Sequence, residues 1–113
     1  MSGLTTHVLD TTLGRPAAGV ALRLLRDGEL LVSASTNTDG RCDSPLLDGE
    51  AIQTGAYRLE FDIGAYYRGL SVTLPEPAFL DTVAIEFGIA DVGAHYHVPL
   101  LVSPFGYSTY RGS

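Results

Sequence analysis

Three histidines, seven arginines and no lysine set the chemistry open to this chain of 113 residues. His7 stands near the start, while His95 and His97 are separated by a single residue, a spacing that on an extended strand turns both imidazoles to one face. Histidine exchanges a proton near neutral pH, and a neighbouring arginine can hold an oxygen on which negative charge develops, so these residue types suit metal-free acid–base work. Two arginines stand out for it: Arg41, directly behind the turn cluster Asn37-Thr38-Asp39-Gly40, and Arg111, within the closing run Tyr110-Arg111-Gly112-Ser113. Arg15, Arg23, Arg26, Arg58 and Arg68 read instead as turn or open-face charges.

Other chemistries are less well supplied. His95 and His97 with His7 as a third ligand would make a three-histidine zinc site, but the His-x-His pattern alone is weak and nothing else in the chain completes a recognisable ligand set. No serine sits in a Gly-x-Ser-x-Gly elbow, no glycine-rich phosphate cradle is present, and the absence of lysine removes Schiff-base chemistry. Cys42, the only cysteine, reads as a small hydrophobe before it reads as a thiolate, and it excludes an intrachain disulfide, which fits a reducing compartment. A net charge of −6 argues against nucleic acid, whose phosphates demand a basic face. The N-terminal segment has neither a basic region nor an apolar core typical of a signal, and no run approaches the roughly eighteen apolar residues of a membrane span. These features predict a cytoplasmic protein without membrane or nucleic-acid partners.

The elements that must position the histidines are strands. Thirteen glycines and six prolines divide the chain into short segments rich in Val, Ile, Leu, Thr, Tyr and Phe with period-2 alternation, an all-β pattern. Strands are predicted at Leu4 to Asp10, Val20 to Arg26, Glu29 to Thr36, Gly55 to Asp62, Thr82 to Phe87, His95 to Val102 and Gly106 to Arg111. Asp27-Gly28 makes a hairpin turn, Pro99 is expected to interrupt its strand, and 41–51 is expected to carry little regular structure. Ile63 to Leu70 is the one helix candidate. Seven or eight short strands in one domain over residues 1–113 imply two packed sheets, and a strand such as Tyr96 to Val102 at an open edge would favour pairing between copies. Alternation in Pro104 to Tyr110 places the C-terminal residues in a sheet as well.

Three segments together, Leu4-Thr-Thr-His7-Val-Leu-Asp10, Thr38-Asp39-Gly40-Arg41-Cys42, and His95-Tyr-His97-Val-Pro-Leu-Leu with Ser-Pro-Phe-Gly-Tyr-Ser-Thr-Tyr110-Arg-Gly-Ser113, resemble the transthyretin-related 5-hydroxyisourate hydrolase family. The resemblance covers essentially the whole chain; it is loose around Pro77 to Leu80 and from Asp43 to Glu50. It implies a transthyretin-like β-sandwich with one short helix, a homotetramer built as a dimer of dimers with sites at the dimer–dimer interface, and hydrolysis of 5-hydroxyisourate without a cofactor. Carried over, it implies catalytic roles for His7, Arg41, His97 and Ser113, and substrate binding by His7, Arg41, Tyr110, Arg111 and Gly112; His95 also matches, with no role assigned. The rival of a different class is a transthyretin-type carrier of a small ligand, and a purely structural sandwich is the third possibility.

Overall fold

The computed structural model describes residues 2–112, and its architecture is a two-sheet sandwich with one short helix. Among the described residues there are nine strands: β1 Gly3–Asp10, β2 Arg15–Pro16, β3 Ala21–Arg26, β4 Glu29–Ser35, β5 Leu47–Asp48, β6 Gly55–Asp62, β7 Thr82–Ile89, β8 His95–Ser103 and β9 Gly106–Thr109. The helix, α1, spans Ile63–Gly69, and one turn of 3-10 helix covers Gly49–Ala51. One sheet runs β4-β3-β6-β7; the other runs β2-β1-β8-β9, with β5 also paired to β1.

The first sheet is built from local hairpin logic. Asp27 and Gly28 both have positive φ, 52° and 78°, the backbone that a two-residue turn matched to strand twist requires between β3 and β4. In β6, Tyr57, Leu59 and Phe61 are buried, while Arg58 and Glu60 project outward and pair with each other over 2.9 Å; Arg23 of β3 joins the row through Glu60 and Asp62. These exposed pairs cover the outer face of the sheet and add little stability individually.

The second sheet carries the site and has a less local construction. β1 and β8 run parallel, with Gly3 opposite His95, Thr5 opposite His97 and His7 opposite Pro99. Leu4, Val8, Leu100 and Val102 point inward and are fully buried against Leu22, Leu24, Leu59 and Phe61 of the other sheet. Thr5, His7, His95 and His97 occupy the alternate, outward positions. The free side of β1 is covered piecemeal: β5 pairs with Gly3 and Leu4, Arg41 bridges to His7, and β2 pairs with Leu9 and Asp10.

Beyond the seven strands expected from the alternation, β2 and β5 are two-residue pieces that close this edge, one of them inside the segment expected to be irregular. β8 is an inner strand between β1 and β9, so the open edge expected at Tyr96 to Val102 does not exist. Nor does Pro99 interrupt it. His97 and Pro99 both turn their carbonyls toward the β9 side, where Gly112 and the Thr109 hydroxyl meet them; the N–H that Pro99 lacks falls beyond the last β8–β9 pair, Leu100 with Thr109. The C-terminal strand accordingly ends at Thr109, short of the expected Arg111, and Gly112 rejoins the sheet as a single bridge to His97.

Helix α1 is locked to the end of β1 through Asp10. This carboxylate is buried and accepts from the Tyr66 hydroxyl at 2.8 Å, the Tyr67 hydroxyl at 3.0 Å and the backbone N–H groups of Thr12 and Leu13. Burial first, and then the bond to Asp10, pushes the Tyr66 phenol up to about 12, so it remains a donor to the carboxylate at any ordinary pH.

Candidate active site

The residues expected to act together come from four adjacent strands or bridges of the second sheet: Arg41, then His7 on β1, His97 on β8, then Gly112. Each is placed by a specific local feature. Arg41 reaches the edge because the turn before it folds tightly: the Asn37 side-chain oxygen accepts from the Asp39 and Arg41 N–H groups, and the Gly40 carbonyl accepts from Val8 N–H over 2.8 Å. Gly40 has a φ of 75°, and a Cβ there would collide with the Val8 carbonyl oxygen, so this close approach requires glycine.

His7 is half-buried, and its Nε2 lies 2.8 Å from the Asp39 carbonyl oxygen. A carbonyl has no proton to give, so Nε2–H is the donor and neutral His7 carries its lone pair on Nδ1. His97, also half-buried, has its backbone carbonyl bound by Gly112 N–H over 2.7 Å, and its ring packs so closely on that glycine that a Cβ at 112 would come 2.6 Å from Cδ2. Burial first, and then the electrostatic influence of Arg41, His7 and His95, push the His97 imidazole below its ordinary 6.5. The lowered value favours the neutral ring, the state a base requires.

Thr5 was not singled out by sequence reasoning. Its Oγ1 lies 2.8 Å from Nδ1 of His97 and 3.2 Å from Nε2 of His95, between the two rings. The signal available in the sequence was its position two residues before His7, on the same face of the same strand; the register against β8, 92 residues away, was not readable there. Beside it, Thr6, Arg41, Cys42 and Ser44 complete a cleft of about 100 Å³. Burial followed by the charge of Asp43 raises the Cys42 thiol, which opposes a thiolate nucleophile.

The structure separates part of the expected set. Arg111 turns its guanidinium over the Tyr96 ring, 4.1 Å from the centroid, and makes a long contact of 3.4 Å to the His95 carbonyl. With Tyr110 it lines a groove of about 220 Å³ whose walls are Ile85, Phe87, Tyr96 and Val98, at the open edge between the two sheets. Within one copy of the chain, then, His7, Arg41, His97 and Gly112 share the outer face, and Tyr110 and Arg111 do not. Ser113 lies outside the described residues. No three His, Cys, Asp or Glu side chains among the described residues gather as metal ligands.

Comparison with known proteins gives this arrangement its context. The chain is 56% identical, over the full length of both chains, to a protein of Ralstonia nicotianae named 5-hydroxyisourate hydrolase. The solved structure of Klebsiella pneumoniae 5-hydroxyisourate hydrolase superposes with a TM-score of 0.86 at 36% identity, each chain covered completely. An (S)-allantoin synthase structure superposes with a TM-score of 0.95 at 41% identity; this chain is covered to 99% but spans only 44% of that longer one. Residues 4–112 match the family described as HIUase/Transthyretin, and the chain belongs to that family.

Proposed function

We propose that the chain hydrolyses 5-hydroxyisourate in urate breakdown, opening the ring bond between N1 and C6 to give 2-oxo-4-hydroxy-4-carboxy-5-ureidoimidazoline. The observation that carries this reading is the single outer row of Arg41, His7, His97 and Gly112 in a chain that matches a 5-hydroxyisourate hydrolase from end to end. Two imidazoles with a guanidinium beside them serve proton transfer and charge stabilisation, groups that carrying a ligand without turnover does not need.

In this mechanism a histidine of the row takes a proton from water as its oxygen attacks C6. The former carbonyl oxygen becomes an oxyanion, and Arg41, a permanent cation with several N–H donors, holds it. The C6–N1 bond then breaks, the imidazolium returns its proton to N1, and C6 leaves as a carboxylic acid that ionises in water. His97 fits the role of base: it is half-buried, burial disfavours its protonated form, and its backbone is pinned by Gly112. His7, with Nε2 committed to the Asp39 carbonyl, offers Nδ1 for orienting the water.

The same proposal includes a cytoplasmic homotetramer, a dimer of dimers, with Tyr110, Arg111 and Gly112 completing substrate binding and Ser113 completing the catalytic set. β4, β7 and β9 lie at the ends of their sheets, and exposed Phe105, Tyr107 and Tyr110 at the β9 end give another copy an apolar surface to cover. No helix among the described residues is long and apolar enough to cross a membrane. The reaction is tested in heavy-oxygen water: hydrolysis places one labelled oxygen in the new carboxylate of the enzymatic product, whereas a product without label would rule out attack by water.

A further inference from the structure

Thr5 has one hydroxyl proton and two imidazole nitrogens within hydrogen-bonding distance, Nδ1 of His97 at 2.8 Å and Nε2 of His95 at 3.2 Å. A hydroxyl can donate once while accepting from another group, so the two nitrogens are both satisfied only if one bears a hydrogen and the other a lone pair. Two chains of hydrogen bonds are possible: His95 Nε2–H to Thr5 to His97 Nδ1, or the reverse. They are not equivalent for a base. Once His97 has taken a proton it carries N–H at both ring nitrogens, and only the reverse chain, His97 Nδ1–H to Thr5 Oγ1–H to His95 Nε2, satisfies every member both before and after transfer.

On the hydrolase reading given above, we propose that Thr5 is a positioning residue of the reaction: its hydroxyl holds the Nδ1 proton of His97, donates its own to His95, and so keeps the His97 lone pair on Nε2, the reactive nitrogen. The surroundings agree. Thr5 is the direct register partner of His97, and Nε2 of His97 has no hydrogen-bond partner among the described residues. His95 stands opposite Gly3, where a Cβ would come 3.2 Å from its Nδ1, so glycine gives the His95 ring the room to lean toward Thr5. His95, which had no assigned role, is the terminal acceptor of the chain. The arrangement orients a base through a hydroxyl, as a carboxylate does in better-known triads, and the selection of tautomer is what such a third group contributes.

The test compares Thr5→Val, which keeps the branched shape without the hydroxyl, with Thr5→Ser, which keeps the hydroxyl. Thr5→Val should lower kcat about tenfold to hundredfold with KM little changed and an unaltered melting temperature. Thr5→Ser should restore most of that loss, and adding His95→Leu to Thr5→Val should cost little more than Thr5→Val alone, because both act through one chain. Nitrogen NMR of the imidazole rings in the unmodified protein should show His97 protonated at Nδ1 and bare at Nε2, and Thr5→Val should convert it to a mixture. Native-like turnover in Thr5→Val, equal impairment in Thr5→Ser, or a wild-type His97 protonated at Nε2 would each overturn the proposal. A native protein that leaves hydroxyisourate untouched would remove the hydrolase reading instead, while the ring signals would still decide the tautomer.

Discussion

Gly112 donates its backbone N–H to the carbonyl of His97 over 2.7 Å and lies so close to the imidazole that a side chain at 112 has no room. Main-chain bond and ring contact together fix where the His97 ring sits. Gly112→Ala should therefore push the ring aside and lower kcat/KM by up to about a hundredfold, the scale set by displacements near an ångström in a catalytic group. Gly69→Ala, at a site with nothing within 4 Å of the added carbon, should leave turnover unchanged; steady-state kinetics on both variants decides whether crowding at His97 is the cause.

His97 sets the acid side of the pH profile. Its imidazole is pushed below 6.5 by burial and then by Arg41, His7 and His95, so the acidic limb of kcat/KM should fall below that value. Arg41→Gln removes a positive neighbour and should move the limb upward while lowering the plateau about 10²- to 10³-fold through loss of the oxyanion partner. The stability consequence has a definite sign: between the lowered folded value and 6.5 the unfolded chain binds more protons, so this group's contribution is full above 6.5 and is lost as pH falls toward the folded value. An acidic limb that stays put in Arg41→Gln would remove the electrostatic link.

Asp10 predicts a stability effect away from the chemistry. Tyr67→Phe removes one donor to a buried carboxylate and should destabilise the fold by about 1.5–3 kcal/mol in urea unfolding, with kcat nearly unchanged. Wild-type stability in that variant would show that the remaining donors suffice.

The strands with continuous alternation were legible because one of their faces is buried: Gly55–Asp62 has the expected bounds, with Tyr57, Leu59 and Phe61 inside and Arg58 and Glu60 outside. β2 and β5 were not, because two residues carry no period; they exist to pair with the edge of β1 on either side of Arg41. Pro99 misled for a physical reason, since the cost of a missing N–H depends on which neighbour it faces, and here it faces the gap after Thr109. That His7, Arg41 and His97 belong together was readable from the resemblance. That Arg111 turns to Tyr96, and that Thr5 joins two histidines, depends on register between distant strands and on where β9 stops.

Metal dependence separates the two readings of the His-x-His pattern. One nitrogen of each ring is engaged, Nδ1 of His97 and Nε2 of His95 by Thr5 and Nε2 of His7 by the Asp39 carbonyl, and among the described residues no three His, Cys, Asp or Glu side chains gather around one centre. Dialysis against a strong chelator should leave kcat unchanged. Loss of activity that returns with stoichiometric zinc would establish a metal hydrolase.

The central claim, that the outer row built around His97 hydrolyses 5-hydroxyisourate, is tested most directly by following the ultraviolet absorbance of freshly generated 5-hydroxyisourate with native protein and with His97→Asn. Native protein should accelerate the decay well above buffer, and His97→Asn, with an unchanged melting temperature, should lose about 10²- to 10⁴-fold in kcat. Decay no faster than buffer with native protein, or near-native turnover in the variant, would contradict the account.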